Sequence, residues 1–542
     1  MTKLTGGEAI VSSLTAHGID TVFGLPGAQS YGLFDGFHKA QIKVIGARHE
    51  QACGYMAFGH ARATGKPAVF SVVPGPGVLN ASAAILTAFG CNEPVLCLTG
   101  QVPTAFLGQG RGHLHEMPDQ LVTLRGFTKF ADRIDHPGQA PSKVARAFQD
   151  MQSGRKGPVA LEMPWDVFMQ SADVADAEVL KPVAPPLPDA DRIADAAKLI
   201  AASKAPMIFV GAGAFDAADN ILELAEMLDA PVVAFRSGRG IVSNAHELGL
   251  TIAAAYRLWP RTDLMIGIGT RQELPGWRWS LQPDGLKSIR IDIDPAEMRR
   301  VKPDVAIVAD ARSATRDLCA AVSRVGFTTS NTRRSEIRDA TAAAQQAIQS
   351  VQPQMAYLDV LRAVLPDDAI VTDELSQVGF ASWYGFPVYQ PRTFITSGYQ
   401  GTLGSGFPTA LGAKVAHPGR AVVAITGDGG FMFAVQELAT AVQFNIGVVT
   451  LVFNNNAYGN VRRDQMEAFG GRIVAADLVN PDFVKLAESF GVHAARVTSP
   501  AEFKPALEKA LADGGPCLIE IVTPTGSEAS PWGFIHPTKS WV

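Results

Sequence analysis

Short strand-like runs recur along this chain, and several are apolar from end to end instead of alternating: AVFSVV, PVLCLT and VALEM early, PMIFV, DLMIGIG and SIRIDID in the middle, AVVAIT and VVTLVF near the end. A strand without a polar face has to be covered on both sides, as parallel strands are when they lie between two layers of helices. Helical patterns separate the runs, so the expected fold is α/β with doubly wound parallel sheets. One sheet cannot absorb 542 residues, because single cores stop growing at roughly 250–300 residues. Two stretches divide the chain. VLKPVAPPLPDADRI (179–193) is rich in proline, and GFTTSNTRRSEIRDATAAAQQAIQSVQPQ (326–354) is polar and partly helical. Three doubly wound domains follow, at 1–180, 190–328 and 350–542.

Composition mainly excludes. A net charge of −5 without a long basic run leaves no footprint for nucleic acid. Five cysteines, odd in number and without metal-type spacing, fit a reduced, cytoplasmic compartment. The opening MTKLTGGEAIVSSLTAHGI reads as an amphipathic helix with no long apolar core, so neither a secretion signal nor a membrane anchor is expected.

The chain also echoes itself. GYMAFGHARATGKPAVFSVVPGPG, from Gly54, and GSGFPTALGAKVAHPGRAVVAITGDGG, from Gly404, each run from a small-residue helix through a turn and an apolar strand to a glycine turn. The first and third domains are therefore expected to share one architecture, with loops at the carboxyl ends of matching strands.

In the second copy the strand leads straight into Asp428, held between Gly427 and Gly429. A carboxylate at the mouth of a core strand is costly unless something pairs with it. A helix follows, with Val435, Leu438 and Val442 at helical spacing, and then the strand IGVVTLVF, which ends in Asn454, Asn455 and Asn456. Two strand ends thus bring a carboxylate and amides to one edge. Such oxygen ligands, with glycines that allow close backbone approach, suit Mg²⁺ bridging to a diphosphate. A helix cap with an asparagine turn suits the same residues. The residues alone leave both readings open.

Gly427-Asp428-Gly429, then 24 residues, then Asn454-Asn455 resembles the signature of thiamine diphosphate enzymes. RHEQACGYMAFGHARATGKP resembles the segment around their cofactor-activating glutamate, GYQGTLGSGFPTALGAK their pyrimidine-binding loop, and KGPVALEMPWDV the end of their first domain. The match covers essentially the whole chain and is nearest the acetolactate synthase and benzaldehyde lyase branch. The resemblance implies a pyrimidine-binding first domain, a central domain and a diphosphate-binding third domain. Asp428, the Asn455 side chain and the Ala457 carbonyl would ligate Mg²⁺. Gly427, Gly429 and the backbone of Gly430 and Phe431, with Ser376 and Gln377, would lie along the diphosphate. Leu403 would wedge the cofactor into a bent shape, and Gly401 would accept a hydrogen bond from its 4′-amino group. Glu50 would hydrogen-bond the aminopyrimidine N1′ and favour the imino tautomer, whose 4′ nitrogen takes the proton from the thiazolium C2. In the family this glutamate serves a cofactor held by the third domain of another subunit, so a homodimer is the minimum and a homotetramer is common.

The departures are informative. His115 stands where acetolactate synthases have a glutamine, and Gln29 where benzaldehyde lyase has its active-site histidine. A polar pair is kept and exchanged between two loops, so His115 and Gln29 are expected to orient substrate and relay protons; solvated loop positions for His113 and His115 are the plainer alternative. Asp464 replaces a tryptophan that selects the second 2-oxo acid, which argues against ordinary branched-chain amino-acid synthesis, while Arg462 and Arg463 stand ready for an acidic acceptor or for solvent. In TRQELPGW only Arg271 matches the flavin-binding run of some relatives, which sets the expectation against FAD or ADP in the central domain. The expected activity is decarboxylation of pyruvate or another 2-oxo acid, with transfer of the hydroxyalkyl unit to a carbonyl acceptor. The alternatives are a lyase for 2-hydroxy ketones or diketones and a simple decarboxylase. Outside the class stand a nicotinamide dehydrogenase using VGAGAF, for which no ribose-binding acid is apparent, and a catalytically silent nucleotide-binding regulator.

Overall fold

All the apolar runs quoted above are strands, and they form the centres of three parallel sheets in the computed structural model, which describes residues 1–279 and 281–537. The first domain contains β1 (Thr2–Thr5), β2 (Thr21–Gly24), β3 (Lys43–Gly46), β4 (Ala68–Val72), β5 (Val95–Gln101), β6 (Phe130–Arg133), β7 (Val159–Pro164) and β8 (Ser171–Val174). Its sheet runs β3-β2-β4-β5-β7-β6, and β1 pairs antiparallel with β8 beside it. The opening segment therefore starts as a strand. Its helix begins only at Gly6, where Thr5 and Glu8 form a capping box that satisfies two free N–H groups.

The central domain contains β9 (Pro206–Val210), β10 (Val232–Ala234), β11 (Gly249–Leu250), β12 (Leu264–Ile268), β13 (Lys287–Asp292) and β14 (Val305–Val308), in the order β11-β10-β9-β12-β13-β14. This is the doubly wound dinucleotide-type order, 3-2-1-4-5-6. The third contains β15 (Ile370–Thr372), β16 (Phe394–Ile395), β17 (Val422–Gly427), β18 (Val449–Asn454), β19 (His493–Val497) and β20 (Cys517–Val522), in the order β16-β15-β17-β18-β20-β19. First and third domains thus share one order, 2-1-3-4-6-5, and the internal echo is a repeated fold. Each has its switch point where β2 meets β4 and where β15 meets β17, the place where such sheets open a crevice for ligands.

The echoed helices, Glu50–Thr64 and Gly406–Ala416, cross and pack against each other within the chain. Their glycines explain the closeness. A Cβ on Gly59 would fall 2.1 Å from the Thr409 carbonyl oxygen, and one on Gly412 would fall 1.9 Å from that of Met56. Residues 175–189 form neither helix nor strand. Residues 326–354, by contrast, are largely the helix Arg333–Ile348, whose Ile337, Ala340, Ala344 and Ile348 are buried against the central domain. Among the described residues no helix is long and apolar enough to cross a membrane.

Candidate active site

Strand β17 is buried along its length and delivers Asp428 at the carboxyl edge of the third sheet, beside the switch point. Adjacent β18 delivers Asn454 and Asn455. Strand β15 ends one position before Asp373 and Glu374, and Ser376 then caps the helix Gln377–Gly385 by accepting from Gly379 N–H. These strand ends and the loop bearing Leu403 enclose a cavity of about 220 Å³. Ser376, Gln377, Leu403, Gly427, Asp428, Gly429, Gly430, Asn455 and Ala457 all line it. Gly401 lies beside it on the loop, with φ +58° and Leu375 against it. Phe431 turns its ring away into the core near Phe407 and Phe483, so only its backbone is available to a ligand.

The cavity's polar atoms are arranged for an anion and a cation. Gln377 Oε1 accepts from Arg463 Nη1 at 2.6 Å, whereas Gln377 Nε2 is buried without a partner among the described residues, a donor left for an anionic oxygen. Close approach to the backbone requires glycine. A Cβ on Gly429 would fall 2.5 Å from the Tyr458 ring, and one on Gly459 would fall 2.7 Å from Asn455 Nδ2. Asp428 and Glu528 are 2% and 7% exposed, and neither forms an ion pair among the described residues. Burial pushes both carboxyls up, and the Asp428 charge raises Glu528 further. Asn455 donates to Glu528, and the Ala457 carbonyl accepts no hydrogen bond among the described residues. Two carboxylates, an amide oxygen and a carbonyl, with Arg463 bonded to the Glu528 carbonyl and not to either carboxylate among the described residues, fit a hard divalent ion.

The residues that hold these groups were not all apparent in the sequence. Asn480 Nδ2 donates to Asp428 Oδ2 at 2.7 Å and to Asn454 Oδ1 at 3.0 Å, fixing the carboxylate from outside the cavity. Nothing periodic marks Asn480 in the chain. Glu374 is fully enclosed: its Oε1 accepts from Gly404 N–H, its Oε2 has no partner among the described residues, and burial pushes its pKa to about 8. It stands between the Gly404 loop and Gly430, where an added Cβ would meet Glu374 Oε1 at 2.5 Å. An acid after an apolar strand, the signal that singled out Asp428, was there for Glu374 too. Arg462 pairs with Asp477 at 2.7 Å on the surface, while Arg463 turns inward to Gln377 and to the Glu528 carbonyl.

Glu50, Gln29 and His115 lie apart from this cavity, at the corresponding edge of the first sheet. Glu50 starts the helix after β3, and its Oε2 accepts from Asn80 Nδ2 at 3.0 Å. Gln29 is buried after β2. His115 Nδ1 donates to Gln29 Oε1 at 2.9 Å, and Gln29 Nε2 donates to the Leu114 carbonyl at 2.8 Å. In the neutral ring that bond leaves His115 Nε2 as the basic nitrogen. His115 has φ +62°, and its carbonyl presses on Gly75, where a Cβ would fall 2.5 Å away. His113 stacks on Phe106 with ring centroids 5.1 Å apart. In the central domain Arg271 lies over the Tyr399 ring at 4.4 Å, beside the glycine turn after β9.

Fold and site together define a three-domain α/β enzyme with a polar cavity at the switch point of its third sheet. Residues 4–122 match the family model described as thiamine pyrophosphate enzyme, N-terminal TPP binding domain; residues 193–318 match the central domain, and 375–521 the C-terminal TPP binding domain. The chain belongs to the thiamine pyrophosphate enzyme family, on its acetolactate synthase-like side, and depends on thiamine diphosphate. It is 36% identical to a probable acetolactate synthase large subunit of Methanocaldococcus jannaschii, over 96% of this chain and 92% of that one. It is 34% identical to a probable 2-ketoarginine decarboxylase of Pseudomonas aeruginosa (96% and 94%). To the acetolactate synthase isozyme 1 large subunit of Escherichia coli it is 31% identical (96% and 94%).

Proposed function

We propose that this chain is a thiamine diphosphate- and Mg²⁺-dependent carboligase that decarboxylates a 2-oxo acid and transfers the remaining hydroxyalkyl unit to a carbonyl acceptor. The observation that carries the reading is the cavity at the third switch point, lined by a buried amide donor and two buried carboxylates that have, among the described residues, no hydrogen-bond partner and no ion pair respectively. Bound thiamine diphosphate supplies a thiazolium carbon that adds to carbonyls and holds the electron pair released when CO₂ leaves. The protein does the rest. Asp428, Asn455 and the Ala457 carbonyl hold Mg²⁺, Gln377 and the Gly429–Gly430 backbone hold the diphosphate, and Leu403 packs on the cofactor. Glu50 holds a proton at the aminopyrimidine, and His115, oriented by Gln29, exchanges protons with substrate oxygen.

Because Glu50 and the His115–Gln29 pair sit on the first sheet's edge, away from the cavity, the working unit is a dimer in which each chain completes the other's site. An exposed apolar stripe supports this: Leu79, Leu86 and Phe89, at 50%, 37% and 38% exposure, share one face of the helix Pro76–Cys91, next to Asn80 and Glu50. A second reading, decarboxylation without ligation, is favoured by the relative named as a 2-ketoarginine decarboxylase. One experiment separates the two. Apoprotein is reconstituted with thiamine diphosphate and Mg²⁺ and given pyruvate or longer 2-oxo acids, with and without an aldehyde or diketone acceptor. CO₂ with a ligated product supports the carboligase; CO₂ with only a free aldehyde supports the decarboxylase. No CO₂ from any 2-oxo acid contradicts both.

A further inference from the structure

Glu437 is a third-domain carboxylate, completely buried, with no ion pair among the described residues. It opens the helix Glu437–Gln443 and faces the first domain of the same chain. Both its oxygens accept from the Arg48 backbone N–H, each at 3.1 Å. Thr440 Oγ1 donates to Oε2 at 2.6 Å. Arg48 itself reaches Gln443 Oε1 at 2.6 Å. The residue gripped in this way lies two before Glu50, the first residue of its helix. Arg48 N–H, Thr440 Oγ1 and Gln436 Nε2 all donate to the carboxylate, and an amide in its place would keep one acceptor oxygen instead of two. Burying a carboxylate is costly, and a purely structural contact between domains would be made more cheaply by apolar side chains.

We propose that Glu437 is a positioning residue for Glu50: its carboxylate fixes the backbone at Arg48, two residues before Glu50, and thereby the angle at which Glu50 meets the aminopyrimidine. This rests on the role given to Glu50 above. Asn80 holds the Glu50 carboxylate from the side, and Glu437 holds its backbone from behind. A displacement of about 1 Å at a proton-transferring group can cost on the order of 100-fold in rate.

The test uses the full-length protein loaded with thiamine diphosphate and Mg²⁺. NMR follows exchange of the cofactor's C2 proton for deuterium, and calorimetry follows cofactor affinity. Glu437→Ala is expected to slow exchange by about 100-fold and Glu437→Gln by about 10-fold, the Gln variant keeping one acceptor and the shape. Affinity should change little in either. In a Glu50→Gln background, where exchange is already slow, Glu437→Ala should add nothing, since a residue acting through Glu50 has no other route. Parent-like exchange in both Glu437 variants overturns the proposal. So does an undiminished further loss on top of Glu50→Gln, which would mark a structural role. Parent-like exchange in Glu50→Gln alone overturns the reading of Glu50 and the proposal with it. If Glu437→Ala does not fold, Glu437→Gln carries the same comparisons.

Discussion

Asp428 is held in place by an amide that does not itself line the cavity. Asn480 aims the carboxylate, and residues that orient a metal ligand typically account for about 10–100-fold in affinity. Asn480→Ala should therefore weaken Mg²⁺-dependent thiamine diphosphate binding by about 10–100-fold, as read by calorimetric titration of apoprotein, with unfolding of the apoprotein little changed. Glu374 makes a different prediction, about pH. Its carboxyl keeps a proton in the folded protein up to about pH 8, whereas in the unfolded chain it releases one near 4.5. Between those values the folded state holds the extra proton, so this group's contribution to stability falls as pH rises. Glutamine mimics the neutral acid and does not titrate. Glu374→Gln should be stabilised relative to the parent by a margin that widens from pH 5 to pH 8 in thermal unfolding; parallel curves would show that Glu374 does not titrate in this window.

At the scale of elements, the crossing of Glu50–Thr64 with Gly406–Ala416 is the joint between the two repeated domains. An alanine at Gly59 would drive its methyl into the Thr409 carbonyl, and the helices would have to part. Gly59→Ala should cost about 1–3 kcal/mol in urea unfolding. Gly419→Ala, where an added Cβ meets nothing within 4 Å, should stay within about 0.5 kcal/mol of the parent. The central strands were legible because they are long and apolar, so no competing period exists. Edge strands such as β11 and β16 have two residues each, too few for any period to show. Site residues divide in the same way. Asp428 and Asn455 end strands that are readable in themselves, and family resemblance resolved what their chemistry left open. Asn480 lies in a loop and Glu437 within a helical pattern, where an isolated acid reads as a solvent-facing charge; only the packing of one domain on another shows what it holds.

For the whole molecule, the repeat has a functional consequence. One chain carries two open crevices of identical topology, one lined by Asp428, Asn455 and Gln377, the other with Glu50, His115 and Gln29 at its edge. The proposed dimer brings the two together. The direct test is complementation between two inactive proteins, Glu50→Gln and Asp428→Ala, unfolded and refolded together or co-expressed, with CO₂ release and C2 exchange followed against each variant alone. If each site draws Glu50 from one chain and Asp428 from the other, half of the random dimers contain one intact site, and activity returns to about a quarter of the parent's. Activity that stays at the level of the single variants, with mixed dimers shown to be present, would place the whole site within one chain and contradict the account.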